Sequence, residues 1–302
     1  MRIAIVTDSA AAIAPDDAQT AEQMGGFAIV PMPVRINDGS GDRELLGLSA
    51  DEIDRDITIA HVMGHTVGTS SPAPGSFAQV YTQLADEGYE HIISIHLSGA
   101  LSGTVESARA ASRLVSVPVS VIDSRTVAGA YGHIVMKLHE LAVTGEYEAQ
   151  QLVEYARAMA EQTTIYFMIP TLDALRRGGR VSPALAMVGQ MFRIRPIGTV
   201  TPEGTLTYVD RPRTTARAKE RLVELSRQAS ADHANLGSFA PELLDTLVPT
   251  GKVVAIHHSA TEREAYELQD ALGAIAESAS FSALPPVLSA HAGLGALAVV
   301  VY

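Results

Sequence analysis

Three short segments of the chain place hydroxyl or imidazole groups among small residues. They are Thr69-Ser70-Ser71-Pro72, Ser98-Gly99-Ala100-Leu101-Ser102-Gly103-Thr104 and His291-Ala292-Gly293-Leu294-Gly295. This pattern suits the grip of an anion. Glycine lets a ligand come close to the backbone, and the free N–H groups at a helix start favour negative charge. A Ser or Thr hydroxyl donates to a carboxylate without the desolvation cost of a buried Lys or Arg. Tight turns and helix caps draw on the same residues, so spacing alone leaves the two readings level.

Motifs for other chemistries are missing or misplaced. Gly293-Leu294-Gly295-Ala296-Leu297-Ala298 matches the relaxed dinucleotide fingerprint. That fingerprint must follow a strand and open a helix, whereas here it runs into a strand-like stretch. No GxxxxGK[ST] phosphate loop occurs. His61 and His65 have the i, i+4 spacing of helical metal ligands, but the HExxH glutamate is missing and Gly64 weakens the helix. No metal, cofactor or catalytic residue is therefore expected. A stand-alone acyl hydrolase or acyltransferase would want a GxSxG elbow and a relay from His291 to Asp8 or Asp123; the elbow is absent and the spacing does not support the relay. His96 and the pair His257-His258 read as hydrogen-bonded structure.

The elements that must position the three segments follow from composition and periodicity. The 302 residues are long enough for two ordinary domains or one large one, and at 47% hydrophobic and 19% charged they can bury a substantial core. With no Trp and 5% aromatics, that core must be built from Ala, Val, Leu and Ile. The net charge of −12 opposes binding to nucleic acid and anionic lipid, and the Arg176, Arg177, Arg180, Arg193 and Arg195 cluster is adequate for one anionic group or partner only. No run approaches the roughly 20 apolar residues of a membrane span. No Cys is present, and the N-terminus opens on a strand-like Arg2–Val6 rather than a signal peptide, so a cytoplasmic protein is expected.

Strand signals at Ile3–Thr7, Ala28–Ile36, His91–Leu97 and Val119–Ile122 alternate with helix signals near Pro15–Gln23, after Ser49-Ala50-Asp51-Glu52 (a capping box), at Ser76–Glu87, at Thr104–Leu114 and from Val127 to Val143. That alternation predicts an N-terminal Rossmann-like α/β domain with a mostly parallel sheet, over residues 1–162. Beyond it come a strand at Thr164–Ile169, short helices at Leu172–Arg177 and after Ser182-Pro183, and a hairpin around Pro202-Glu203-Gly204. Strands at Val253–His257, Ser280–Leu284 and Leu297–Tyr302, with a helix through Ala260–Leu272, complete an expected α+β domain over 163–302 with a mixed or antiparallel sheet. Asp8-Ser9 and Asp123-Ser124 both fall just past strands, at the edge where α/β sheets bind ligands, and each pair singly reads as helix-capping chemistry.

Seven motifs in order resemble the DegV family of bacterial fatty-acid-binding proteins over essentially the whole chain. They are Thr7-Asp8-Ser9, Thr69-Ser70-Ser71-Pro72, Leu101-Ser102-Gly103-Thr104, Val121-Ile122-Asp123-Ser124, Leu175-Arg176-Arg177-Gly178-Gly179-Arg180-Val181, Arg211-Pro212-Arg213-Thr214 and His291-Ala292-Gly293-Leu294-Gly295. The resemblance implies a long-chain fatty acid in an inter-domain tunnel, held as a ligand rather than turned over. It implies a carboxylate site in which Thr69 or Ser70, together with Ser102, makes the direct contacts, with His291 and Arg180 completing the polar network and Ser98 and Gly103 nearby. It also implies a separate ATP-dependent fatty acid kinase that phosphorylates the presented carboxylate; a lipid sensor acting on another partner is the further reading. The small aliphatic run Ala184–Val188 suits a tunnel wall or a helix core equally. The chain departs from the family pattern at Leu294, where proline is usual, and at Arg195-Pro196, where Lys-Pro is usual.

Overall fold

A computed structural model describes residues 1–45, 48–172, 175, 179, 194–235 and 251–302. Its first sheet contains β1 (Ile3–Asp8), β2 (Phe27–Val30), β6 (His91–His96) and β7 (Val119–Asp123), all parallel, in the order β2-β1-β6-β7. All six residues of β1 are buried, as expected of an inner parallel strand covered on both faces.

The expected single strand Ala28–Ile36 is instead two. Pro31 and Pro33 cannot donate to a ladder, and the chain leaves the first sheet between them. It re-forms as β3 (Val34–Asn37), which pairs antiparallel with β4 (Asp42–Leu45) and β5 (Thr66–Thr69) in a separate three-stranded sheet. Helix α2 (Ala50–Met63) lies between β4 and β5 in the chain. Its capping box is formed: the Ser49 side chain accepts from Glu52 N at 3.4 Å, and the Glu52 carboxylate accepts from Ser49 N at 2.8 Å.

The second sheet is mixed, in the order β10-β9-β8-β13-β11-β12. Its strands are β8 (Thr164–Met168), β9 (Ile197–Val200), β10 (Leu206–Asp210), β11 (Val253–His258), β12 (Ser280–Ala283) and β13 (Leu297–Val301). Every pair is antiparallel except β11 with β12. The β9–β10 hairpin forms as expected and turns through Gly204, whose φ of +83° a side chain rarely adopts. Along β13, Leu297, Val299 and Val301 face one core while Ala298 and Val300 face another, the period of 2 that covers both faces of a strand.

Helices fill the layers. On the outer side of the first sheet lie α3 (Pro74–Asp86) and α4 (Thr104–Ser112), with Phe77, Tyr81, Leu84 and Ala108 in their core. On the outer side of the second lie α7 (Thr215–Asn235) and α8 (Glu262–Leu272). Between the sheets runs α5 (Gly129–Thr144), followed by α6 (Ala149–Gln162). Ten of the 16 residues of α5 are buried, as expected of a helix packed on two sides. Two glycines allow its close approach: a Cβ on Gly129 would lie 2.2 Å from His257 Nε2, and one on Gly132 would lie 2.0 Å from the Ala11 carbonyl oxygen.

Helices α6, α7 and α9 (Pro286–Ala292) were not among the sequence expectations. The helices expected at Leu172–Arg177 and after Ser182-Pro183, and the run Ala184–Val188, fall wholly or mostly outside the described residues. Neither Asp-Ser pair caps a helix. Asp8 instead closes the end of the first sheet, and Asp123 Oδ1 accepts from Gly99 N at 3.1 Å and Arg125 N at 2.9 Å.

Candidate functional site

Thr69 is the last residue of β5, Ser102 lies in the turn between β6 and α4, and His291 sits in the last turn of α9. Widely separated in sequence, they line one cavity between the two large sheets. The segments bond one another directly: Thr69 Oγ1 is 2.7 Å from His291 Nε2, and Ser71 Oγ is 3.2 Å from Ser102 Oγ. Ser102 Oγ is also 2.9 Å from Thr104 Oγ1 and accepts from the Thr104 N–H at 3.4 Å, at the start of α4. An anion at that helix start meets partial positive charge as well as hydroxyls.

The rest of the wall is apolar. Apart from Thr69, Ser102 and His291, every described lining residue is aliphatic, aromatic or Met. Ala10, Met32 and Leu97 come from the ends of the first sheet's strands or the loops beyond them; Ile165, Phe167 and Ala298 come from the inner face of the second. Leu284, Val287 and Leu288 come from α9 and the turn before it. The open volume is about 120 Å³. Such a lining favours contact with an apolar guest over water.

The remaining expected residues are placed as follows. Ser70 follows Thr69 and donates its backbone N–H to the Pro33 carbonyl at 3.1 Å, with its side chain outside the cavity lining. Gly103 opens α4, and a Cβ there would lie 3.2 Å from Ser71 Oγ, so glycine allows the two segments to approach. Ser98 is fully buried and its hydroxyl donates to the Gly204 carbonyl at 2.8 Å, tying the β9–β10 hairpin to the turn that leads to Ser102. Arg180 lies outside the described residues. Ser71 and Thr104 complete the hydroxyl chain. The apolar lining carried no local signal, because alternate residues of a buried strand look alike whether they face a core or a cavity.

A serine–histidine–aspartate chain is present elsewhere. Ser94 Oγ is 2.7 Å from His96 Nε2, and His96 Nδ1 is 3.0 Å from Asp8 Oδ2. All three are fully buried, and Ser94 is further covered by the Tyr81 hydroxyl at 2.7 Å. Asp8 also accepts from Tyr131 Oη at 2.7 Å, Ala10 N at 3.0 Å and Leu97 N at 3.3 Å. A nucleophile needs access to its substrate, which Ser94 lacks. This network clamps the sheet end that supplies Ala10 and Leu97 to the cavity. Burial, with Asp8 alongside, holds the Tyr131 phenol well above its ordinary range. Among the described residues no His, Asp or Glu cluster could hold a metal, and no helix is long and apolar enough to cross a membrane.

Fold and cavity together define a three-sheet α/β protein with an apolar pocket whose polar residues, among those described, are Thr69, Ser102 and His291. The model of the DegV family, a family of uncharacterised proteins, matches residues 2–302, and the chain belongs to that family. A DegV domain-containing protein of Streptomyces coelicolor is 34% identical over 99% of this chain and 98% of its own. Among solved structures, a fatty acid binding DegV protein from Bacillus subtilis superposes with a TM-score of 0.79 at 27% identity, covering 99% of this chain and 98% of that one. A DegV family protein from Thermus thermophilus, described for its fatty acid binding, shares the fold with a TM-score of 0.81 at 24% identity over 99% of both chains.

Proposed function

We propose that this protein binds a long-chain fatty acid, with the carboxylate at Thr69, Ser102 and His291 and the acyl chain in the apolar cavity. The observation that supports this most is the composition of the wall: among the described residues, three hydrogen-bonding side chains in a lining otherwise apolar. A buried carboxylate must be hydrogen-bonded, and two hydroxyls, an imidazole and the start of α4 supply donors. Fatty acid binding by the Bacillus subtilis relative agrees with the same reading. Ser70, Gly103 and Arg180 belong to the proposed head-group neighbourhood; Ser98, with its hydroxyl committed to Gly204, acts there by holding the turn.

Each buried methylene contributes about 0.8 kcal/mol, so the tail supplies most of the affinity. The open volume of about 120 Å³ is smaller than the roughly 300–1,000 Å³ of a typical ligand pocket. A long chain therefore seats by turning aside flexible walls such as Met32 and Leu288. The reading extends to presentation of the carboxylate to a separate ATP-dependent kinase, giving an acyl phosphate, and to two domains meeting between Gln162 and Thr164.

Native mass spectrometry of protein purified from cells, followed by lipid extraction, tests the binding. A co-purifying fatty acid near one equivalent is expected, depleted in Ser102→Ala combined with His291→Ala. Empty protein that also fails to bind oleate in titration overturns the reading. Acyl phosphate trapped as hydroxamate should require ATP and a second protein; its formation by this chain alone removes the kinase partner.

A further inference from the structure

A second cavity, larger and more polar than the first, opens where the edge strand β7 meets the ends of β8 and β9. Its volume is about 730 Å³, within the roughly 300–1,000 Å³ range of small-molecule sites. Three of the 22 cationic residues of this net-acidic chain line it: Arg109 from α4, Arg125 from the loop after β7, and Arg157 from α6. Asp123, Glu161 and Thr201 share the wall, so among the described residues the lining remains net positive. The Asp123 carboxylate is already engaged through Oδ1 with two backbone N–H groups, which leaves less of it to repel an anion.

The guanidinium groups are unequally committed. Arg109 pairs with Glu106, and Glu203 stands near Arg125. Arg157 has no hydrogen-bond or ion-pair partner among the described residues. Arg125 adopts φ +51°, a left-handed conformation that a side-chain-bearing residue holds only when its surroundings impose it. Those surroundings are visible: Asp123 Oδ1 accepts its N–H, and the next residue's carbonyl accepts from Ser98 N at 2.8 Å. The loop thus fixes the backbone from which Arg125 reaches the cavity wall. Planar guanidinium groups that separate elements bring to one cavity suit bidentate contact with phosphate oxygens.

We propose that this cavity binds a small, multiply charged, phosphate-bearing molecule, at a site separate from the apolar pocket. The volume exceeds what inorganic phosphate fills, and Thr201 adds a hydroxyl partner for the remainder of such a molecule. Isothermal titration of the full chain with inorganic pyrophosphate, at low salt, tests it. One equivalent should bind; Arg125→Ala combined with Arg157→Ala should weaken binding at least about tenfold. Glu161→Gln should tighten it by removing a like charge. Oleate titration of the same variants should be unchanged, which separates failure here from failure of the fatty acid reading. No binding by the wild type, or equal binding by wild type and the double variant, overturns the proposal.

Discussion

Replacing His257 by Gln should flatten the acid side of the stability curve, because His257 must stay neutral to hold the two sheets together. His257 is fully buried on β11, and its hydrogen bonds run in one direction. The Gly129 N–H, on α5, donates to Nε2 at 3.1 Å; Nδ1 is 3.0 Å from Ser282 Oγ; the Ser282 hydroxyl donates onward to the Ala12 carbonyl at 3.4 Å. With the Ser282 proton given to Ala12, Nδ1 carries the imidazole proton and Nε2 is the acceptor. A second proton at Nε2 would set one N–H against another. Burial, with His258 opposing a further positive charge, lowers the His257 pKa from 6.5 to about 4. The unfolded chain therefore takes up the proton first. Stability is fully present above about pH 6.5 and falls as the pH drops towards 4. At about 1.36 kcal/mol per pH unit the whole loss is about 3 kcal/mol, of which about 2 kcal/mol has gone by pH 5. Urea unfolding followed by circular dichroism at pH 7.5 and pH 5.0 reads it. Other titrating groups, including His133, act in both proteins and cancel in the comparison. The wild type should lose about 2 kcal/mol more than the variant between the two pH values. Equal losses would refute the assignment of His257 as a neutral seam residue, whatever the absolute stability of the variant.

Asp8→Asn keeps the shape of the side chain but sets an NH₂ among groups that all donate, and should cost about 3 kcal/mol or more in chemical denaturation. Gly132→Ala drives a methyl into the Ala11 carbonyl and should destabilise by about 1–3 kcal/mol, read as a lowered melting temperature; unchanged melting would mean α5 can shift freely. Ala298→Leu adds three carbons to the cavity wall. It should displace about three methylenes of ligand and weaken long-chain binding by about 2 kcal/mol, some thirtyfold, while short chains are spared; equal weakening of all lengths counts against the tail placement.

Much of the fold is legible where one residue type has one use. The buried runs of β1 and β6, the Ser49–Glu52 box and the Pro202-Glu203-Gly204 turn each state their structure locally. The break after Val30 was equally visible in Pro31 and Pro33, whose missing donors outweigh the apolar run that joins them. Helix α6 shows i, i+3, i+4 spacing at Ala149, Leu152, Val153, Ala156 and Met159, a helical signal present in the sequence. Around His291, Gly293 and Gly295 suggest a loop, whereas Pro286 at the first turn starts a helix that places the imidazole. Thr69, Ser102 and His291 meet through three separate sheet and helix ends, so hydroxyl and imidazole chemistry marked them but only the topology joined them. Asp8 shows the limit: its type and its place after a strand suggested a cap, and burial made it a clasp.

Helix α5 has consequences for how the molecule comes apart. With Tyr131 bonded to Asp8 on one side and Gly129 bonded to His257 on the other, neither sheet keeps a complete core without it. Loosening either half strips cover from the other, so the two should melt in one cooperative transition. The backbone amides of α5 should be among the slowest in the molecule to exchange with solvent.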